Sequence, residues 1–218
     1  MNVIEHTKYI WEIEDFVPHS EIDNFLGMFE FYNPTLKDEF RHKKDRDNDT
    51  YVCTNYPELD ATAWQWINRA NEYYVKNNQW IFYKWLTDRL FVADKDDSGV
   101  MWRGQNVIRM YNENDSYDWH SDHSSANISE FSYILYLNDD FEGGKTRFLN
   151  DKLTVTPKKG NMLCFPVDHY HVHKGTRVTS GNKKILWNCL FRNELKMILD
   201  QPYLIAQNVP RSSKRFIW

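Results

Sequence analysis

His120 and Asp122 stand two residues apart in YDWHSDH. On extended backbone, side chains at i and i+2 project from one face, so this pair can chelate a single metal ion. A third nitrogen would complete the two-histidine, one-carboxylate face that leaves open positions on Fe(II). The run DHYHVHK offers three candidates, His169, His171 and His173, and their shared parity does not choose among them. An HxD pair recurs by chance in many chains. Three histidines within five residues on a later strand lift this one above that background.

Lys183 is the second group able to do chemistry. It shares parity with Ile185, Trp187, Cys189 and Phe191, the more apolar face of KKILWNCLF, whereas Lys184 points the other way with Asn188. A lysine turned into a core is costly unless it meets an anion. An internal salt bridge, or a strand end that reaches water, would satisfy it. A ligand carboxylate beside a metal would do so too, and Tyr136, inward by the parity of Ile134, can add a neutral hydrogen bond.

These groups need a scaffold, and from Gln105 the apolar period is two. NVIRMY, FSYILYLN, KTRFL, KLTVT, NMLCFP, HYHVHK and KKILWNCLF follow one another between turn residues. Closely spaced strands with no intervening helix predict a barrel or sandwich. Gly143-Gly144 and Lys159-Gly160 read as hairpin connections. Upstream the texture is helical. Ser20 is placed to cap a helix with Ile22, Phe25, Leu26 and Phe29 on one stripe, and Ala63, Ile67, Ala70 and Tyr74 repeat the pattern after a stop over Pro57 to Asp60. The charged stretch between them reads as a solvated loop, and residues 37–57 are a candidate lid. Two acidic runs, Asp45, Asp47, Asp49 and Asp94, Asp96, Gly99, lack a glutamate at the twelfth place of a calcium loop, where Tyr56 and Gln105 stand.

The chain has 218 residues, 41% hydrophobic and 27% charged, which predicts a folded globular protein. One domain over 1–218 is expected, with helical support in 1–100, a barrel core in 101–192 and an extension over 193–218. A net charge of −4 with no basic run argues against nucleic acid as partner. The opening has no basic and apolar leader and no long apolar span follows, so no membrane partner and a cytoplasmic location are expected. Cys53, Cys164 and Cys189 form no CxxC unit and read as buried free thiols. Aromatic residues make up 16% of the chain, a content suited to sheets and pockets.

The run Tyr111-NENDS-Tyr117-DW-His120-S-Asp122, then YILYLNDDFEGGKTRF, PKKGNMLCFP and His173-KGTRVTSGN-Lys183, resembles the Fe(II)- and 2-oxoglutarate-dependent dioxygenases of the prolyl 4-hydroxylase type. The similarity spans about residues 100 to 192 and rests on several blocks in the right order. It implies a mainly β fold with N-terminal helices: a double-stranded β-helix, or jelly-roll and cupin-like barrel. It also implies that His120, Asp122 and His173 bind Fe(II), the family spacing to the basic residue selecting His173. Lys183 and Tyr136 would hold the distal carboxylate of 2-oxoglutarate, Tyr111 and Thr146 would line that pocket, and Tyr117 would contact the substrate.

The implied reaction is hydroxylation of a peptidyl proline in a proline-containing polypeptide. It is coupled to oxidative decarboxylation of 2-oxoglutarate by O2 to succinate and CO2, with ascorbate as reductant and no acid-base group beyond the metal ligands. The chain departs from the family at Ser129, where an arginine is common, at Cys189, where many members have tryptophan, and at Asn114, a common glycine. Competing readings are demethylation of alkylated nucleic-acid bases, hydroxylation of a free amino acid or small metabolite, and a non-catalytic barrel module. Lys183, where the demethylases use arginine, and the intact HxD, distal histidine and lysine speak for the prolyl hydroxylase.

Overall fold

The computed structural model describes residues 1–36, 49–78, 101–122, 129–150 and 152–192. Most of the candidate lid (37–48), the second acidic run and the 193–218 extension lie outside the described residues. In chain order the elements are β1 (Asn2–Glu5), β2 (Trp11–Glu14), α1 (His19–Leu36), β3 (Asp49–Val52), α2 (Pro57–Asn77), β4 (Met101–Arg103), β5 (Val107–Tyr111) and β6 (Tyr117–His120). There follow β7 (Ser129–Tyr136), β8 (Glu142–Gly143), β9 (Thr146–Phe148), β10 (Thr154–Val155), β11 (Met162–Pro166), β12 (His173–Gly175), β13 (Val178–Ser180) and β14 (Lys183–Arg192).

The larger sheet runs β1-β2-β11-β7-β14-β5-β3, with β4 also on β14, and the smaller runs β10-β9-β12-β6. Alternation along the central strands gives each face a different task. Ile134 and Tyr136 of β7, Leu163 and Phe165 of β11 and Ile185 of β14 pack against Phe148, Val155 and Tyr117 of the smaller sheet. Tyr133, Leu135, Met162, Leu186 and Leu190 face the other way, onto Phe25 and Phe29 of α1 and Trp66, Ile67 and Tyr74 of α2. The result is a jelly-roll of the double-stranded β-helix kind, with both helices on the outer face of its larger sheet.

The helical stripes are where the spacing puts them: Ile22, Phe25 and Phe29, like Ala63, Ile67, Ala70 and Tyr74, are buried. Three local expectations change. Pro57 to Asp60 does not stop a helix but starts α2, because a proline at the first helical position lacks only an N–H that would have no partner there. Helix α1 begins at His19, with the Pro18 carbonyl accepting from Ile22, so Ser20 lies inside it. Gly143-Gly144 and Lys159-Gly160 are not hairpin turns. Gly143 belongs to β8, which pairs with β13, and the following β9 pairs with β10 and β12; likewise β10 and β11 lie in different sheets. Both bends carry the chain from one pairing partner to another. Positive φ at Gly143, Gly144 and Gly160 explains the glycines without fixing which strands pair.

Residues 49–52, at the end of the candidate lid, form β3 on the edge of the larger sheet, in register with β5. The run HYHVHK is strand only from His173 onward. All three cysteines are free and buried. Among the described residues, no helix is long and apolar enough to cross a membrane.

Candidate metal and carboxylate site

The smaller sheet sets His173 of β12 directly opposite His120 of β6, and Asp122 follows just beyond the end of β6. His120 Nε2 lies 3.5 Å from Asp122 Oδ1, and His173 Nε2 lies 3.6 Å from Asp122 Oδ2. One donor atom from each residue falls within 4.8 Å of the other two. The opposite ring nitrogens are engaged: His120 Nδ1 donates to the Asp118 carbonyl at 2.7 Å and His173 Nδ1 to the His171 carbonyl at 3.1 Å. A carbonyl only accepts, so both Nδ1 atoms carry the proton and both Nε2 lone pairs are left for a ligand. His120 Nε2 is buried with no hydrogen-bond partner among the described residues. A divalent cation shared with Asp122 and His173 would satisfy it, so the donor set fits a hard-to-borderline metal such as Fe(II).

Asp122 is held by groups from the larger sheet. Ser132 Oγ donates to its Oδ2 at 2.7 Å, and Trp187 Nε1 reaches both that oxygen (3.3 Å) and Ser132 Oγ (3.1 Å). Burial alone would push the Asp122 carboxyl up, but His173, His120 and Arg109 outweigh it and hold it well below the usual carboxylate range. Burial pushes His173 down to about 4, against the pull of Asp122, so its ring is neutral near pH 7. Tyr117 lies flat on His120, ring centroids 3.6 Å apart, and Phe148 and Phe165 wall in His173.

Lys183 enters the same interior from β14, opposite Tyr111 of β5. It is only 4% exposed, and its Nζ donates to the Gly144 carbonyl at 2.6 Å while lying 5.3 Å from the Tyr111 ring and 5.8 Å from that of Tyr136. The Tyr136 hydroxyl bonds Thr146 Oγ1 at 2.9 Å. Burial and then Arg109 lower the Lys183 ammonium to about 7. No carboxylate of the described residues pairs with it. This interior thus holds a cation and two hydroxyls as well as a metal-ligand set.

The structure brings together His120, Asp122 and His173, and separately Lys183, Tyr111, Tyr136 and Thr146, all lining one interior. His171 is turned away: its Nδ1 meets Asp168 Oδ1 at 2.8 Å and its ring packs on Tyr9. His169 is exposed against Tyr170. Sequence reasoning passed over Ser132, Trp187 and Arg109. Parity carried a signal for two of them, since Trp187 shares a face with Lys183 and Arg109 with Tyr111.

The jelly-roll presents two imidazoles and a carboxylate inward, with a buried lysine in the same interior, a donor set that could hold a metal ion. Residues 106–192 match the family model of the 2OG-Fe(II) oxygenase superfamily. A protein of Acanthamoeba polyphaga mimivirus named "Putative prolyl 4-hydroxylase" is 36% identical over 103 residues, covering 37% of this chain and 42% of that protein. The chain therefore spans less than half the length of this curated relative.

Among solved structures, the viral collagen prolyl hydroxylase of Paramecium bursaria Chlorella virus-1, in its 2OG complex, superposes with a TM-score of 0.60 at 18% identity, covering 84% of this chain and 96% of that one. The Pseudomonas putida prolyl-4-hydroxylase gives 0.55 at 17% identity, covering 86% and 94%. A Trichoplax adhaerens prolyl hydroxylase bound to a hypoxia inducible factor peptide gives 0.59 at 13% identity, covering 89% and 88%. These three share the fold.

Proposed function

We propose that this domain hydroxylates a proline within a polypeptide, using Fe(II), O2 and 2-oxoglutarate. The observation that carries the reading is the convergence of His120, Asp122 and His173 in the interior that also buries Lys183. Bound iron would supply activation of O2, with decarboxylation of 2-oxoglutarate to succinate and CO2 driving insertion of one oxygen into a C–H bond.

The chain's own residues bind, orient and exclude water. His120 Nε2, His173 Nε2 and a carboxylate oxygen of Asp122 would hold the metal, a donor set that suits Fe(II) with positions open to ligands. The Lys183 ammonium takes the distal carboxylate of 2-oxoglutarate by a charge-assisted bond that the dry surroundings strengthen. Tyr136 and Thr146 orient that end, and Tyr111 closes the wall beside it. The Tyr117 ring on His120 is placed to meet the target residue. Phe148, Phe165 and Ile185 keep bulk water from the reacting centre. Ascorbate would serve as the external reductant. The polypeptide assignment draws on the prolyl hydroxylases that share this fold and on the mimivirus relative.

Purified protein given Fe(II), ascorbate, O2 and 2-oxoglutarate should form succinate, and Asp122→Ala should abolish it. A panel of proline-containing peptides read by mass should show one added oxygen on proline. Equal succinate from both proteins refutes the metal assignment. Oxidation of methylated single-stranded nucleic acid with no peptide oxidised refutes the substrate assignment.

A further inference from the structure

Among the described residues, Arg109 is a strongly polar side chain of this interior that the proposed reaction does not use to bind a ligand. It sits on β5, two residues before Tyr111 and opposite Ile185, so it faces the cavity on the same side as Lys183 and Trp187. It is 4% exposed, and its Nε is buried with no hydrogen-bond partner among the described residues. The guanidinium lies 4.1 Å from the Trp187 ring and 5.3 Å from that of Tyr117. Stacking occupies the faces of the guanidinium plane, and the Nε–H at its edge is left without an acceptor among the described residues. Asp122 is close enough to feel its charge, yet Asp122 Oδ2 already accepts from Ser132 and Trp187. A guanidinium cannot shed its proton to escape burial, as a lysine can. A buried guanidinium whose Nε–H has no hydrogen-bond partner among the described residues is costly unless a ligand brings an acceptor.

We propose that Arg109 is a second carboxylate-binding residue of the cavity, acting at the metal end while Lys183 acts at the other. The ligand chemistry is a carboxylate, whose two oxygens match the edge of a guanidinium. Diagonal neighbours on adjacent antiparallel strands have Cα atoms about 7–8 Å apart, so Lys183 and Arg109 can address the two ends of one short dicarboxylate. The carboxylate then comes either from 2-oxoglutarate itself or from the substrate. This deepens the proposed function and rests on it for the identity of the ligands.

The test reads binding, not turnover. Metal-free wild-type protein is titrated with glutarate and with pentanoate, acids that differ by one carboxylate, following tryptophan fluorescence. A preference for glutarate of at least tenfold, lost in Arg109→Gln and partly kept in Arg109→Lys, establishes the role with 2-oxoglutarate as the source. Protein loaded with Zn(II) and 2-oxoglutarate is then titrated with the N-acetylated, C-amidated peptides Gly-Pro-Glu and Gly-Pro-Gln, which differ by one side-chain carboxylate. A preference for the carboxylate that disappears in Arg109→Gln places the source in the substrate. If wild type discriminates within neither pair, or Arg109→Gln keeps the discrimination, the proposal is overturned. Thermal melts accompany each variant, and the wild-type comparison stands even if Arg109→Gln does not fold. Absence of succinate with an intact, Arg109-dependent preference would sink the dioxygenase reading alone.

Discussion

His173 lies directly opposite His120 across the β6–β12 ladder, and each ring is steered by a backbone carbonyl two residues before it. Two metal-facing nitrogens therefore come from paired strand positions whose spacing the sheet fixes. Replacing either histidine by alanine should lower Mn(II) or Fe(II) affinity at least a hundredfold, with a smaller change in melting temperature for His120, the less buried of the two. Metal titration followed by electron paramagnetic resonance checks this. Wild-type affinity in His173→Ala would move the third ligand elsewhere in the chain.

The bonds from Ser132 and Trp187 to Asp122 Oδ2 fix the orientation of the carboxylate that would bind the metal. Such supporting groups typically contribute 10–100-fold to metal affinity or activity, on the order of one to three kcal/mol. Ser132→Ala should fall in that range. Trp187→Phe should fall toward its lower end, because Ser132 keeps the shorter bond. The same metal titration reads both, and equal affinity in Ser132→Ala would show that Asp122 needs no such support.

Lys183 makes the stability of the fold sensitive to pH. Burial lowers its ammonium to about 7 from an ordinary 10.5. Between those values the unfolded chain binds a proton that the folded chain does not, so stability rises with pH there, by about 1.4 kcal/mol per unit at most. Below pH 7 both states carry the charge and the full cost of burying it remains. Lys183→Met has no such cost. It should be more stable than wild type at pH 6, and the gap should close toward pH 10 in urea titrations. Binding of 2-oxoglutarate runs the other way, since it needs the charged form: affinity should weaken as pH rises above 7, and Lys183→Met should bind weakly at every pH.

Much of this site could be read from parity. The i, i+2 relation of His120 and Asp122 and the inward side of Lys183 and Tyr136 follow from strand geometry alone. The choice of His173 did not, because HYHVHK looks like one strand. In the folded chain Asp168 turns the segment back on itself, accepting from the Tyr170 and His171 backbone amides and from the His171 ring, and only then does β12 begin. Ser132 and Trp187 meet Asp122, and Arg109 comes near enough to lower its carboxyl, through the register of β7, β14 and β5, a relation between segments that no local pattern states. The glycine pairs mislead for the same reason. Positive φ marks a bend, while the partner of each flanking strand is decided by burial across the whole barrel.

Gly144 ties one of those bends to the site, because its carbonyl accepts from Lys183 Nζ. It has φ +56, and a Cβ there would meet Phe141 Cε2 at 2.9 Å, Lys183 Cδ at 3.1 Å and Val178 Cγ2 at 3.3 Å. All three are side-chain atoms, so the fold can adjust, but the lysine stem must shift. At Gly143, with φ +76, a Cβ would stand 2.2 Å from the Arg177 carbonyl oxygen, which is backbone and paired with the Gly144 amide. Gly143→Ala should therefore cost several kcal/mol, about the scale of strain plus a lost backbone bond, and lower the melting temperature sharply. Gly144→Ala should cost about 1 kcal/mol or somewhat more, yet weaken 2-oxoglutarate binding severalfold by misplacing the ammonium. Calorimetric melts and 2-oxoglutarate titration of the Zn(II)-loaded variants separate the two effects. Unchanged 2-oxoglutarate affinity in Gly144→Ala would mean that the lysine reaches its carboxylate without this support.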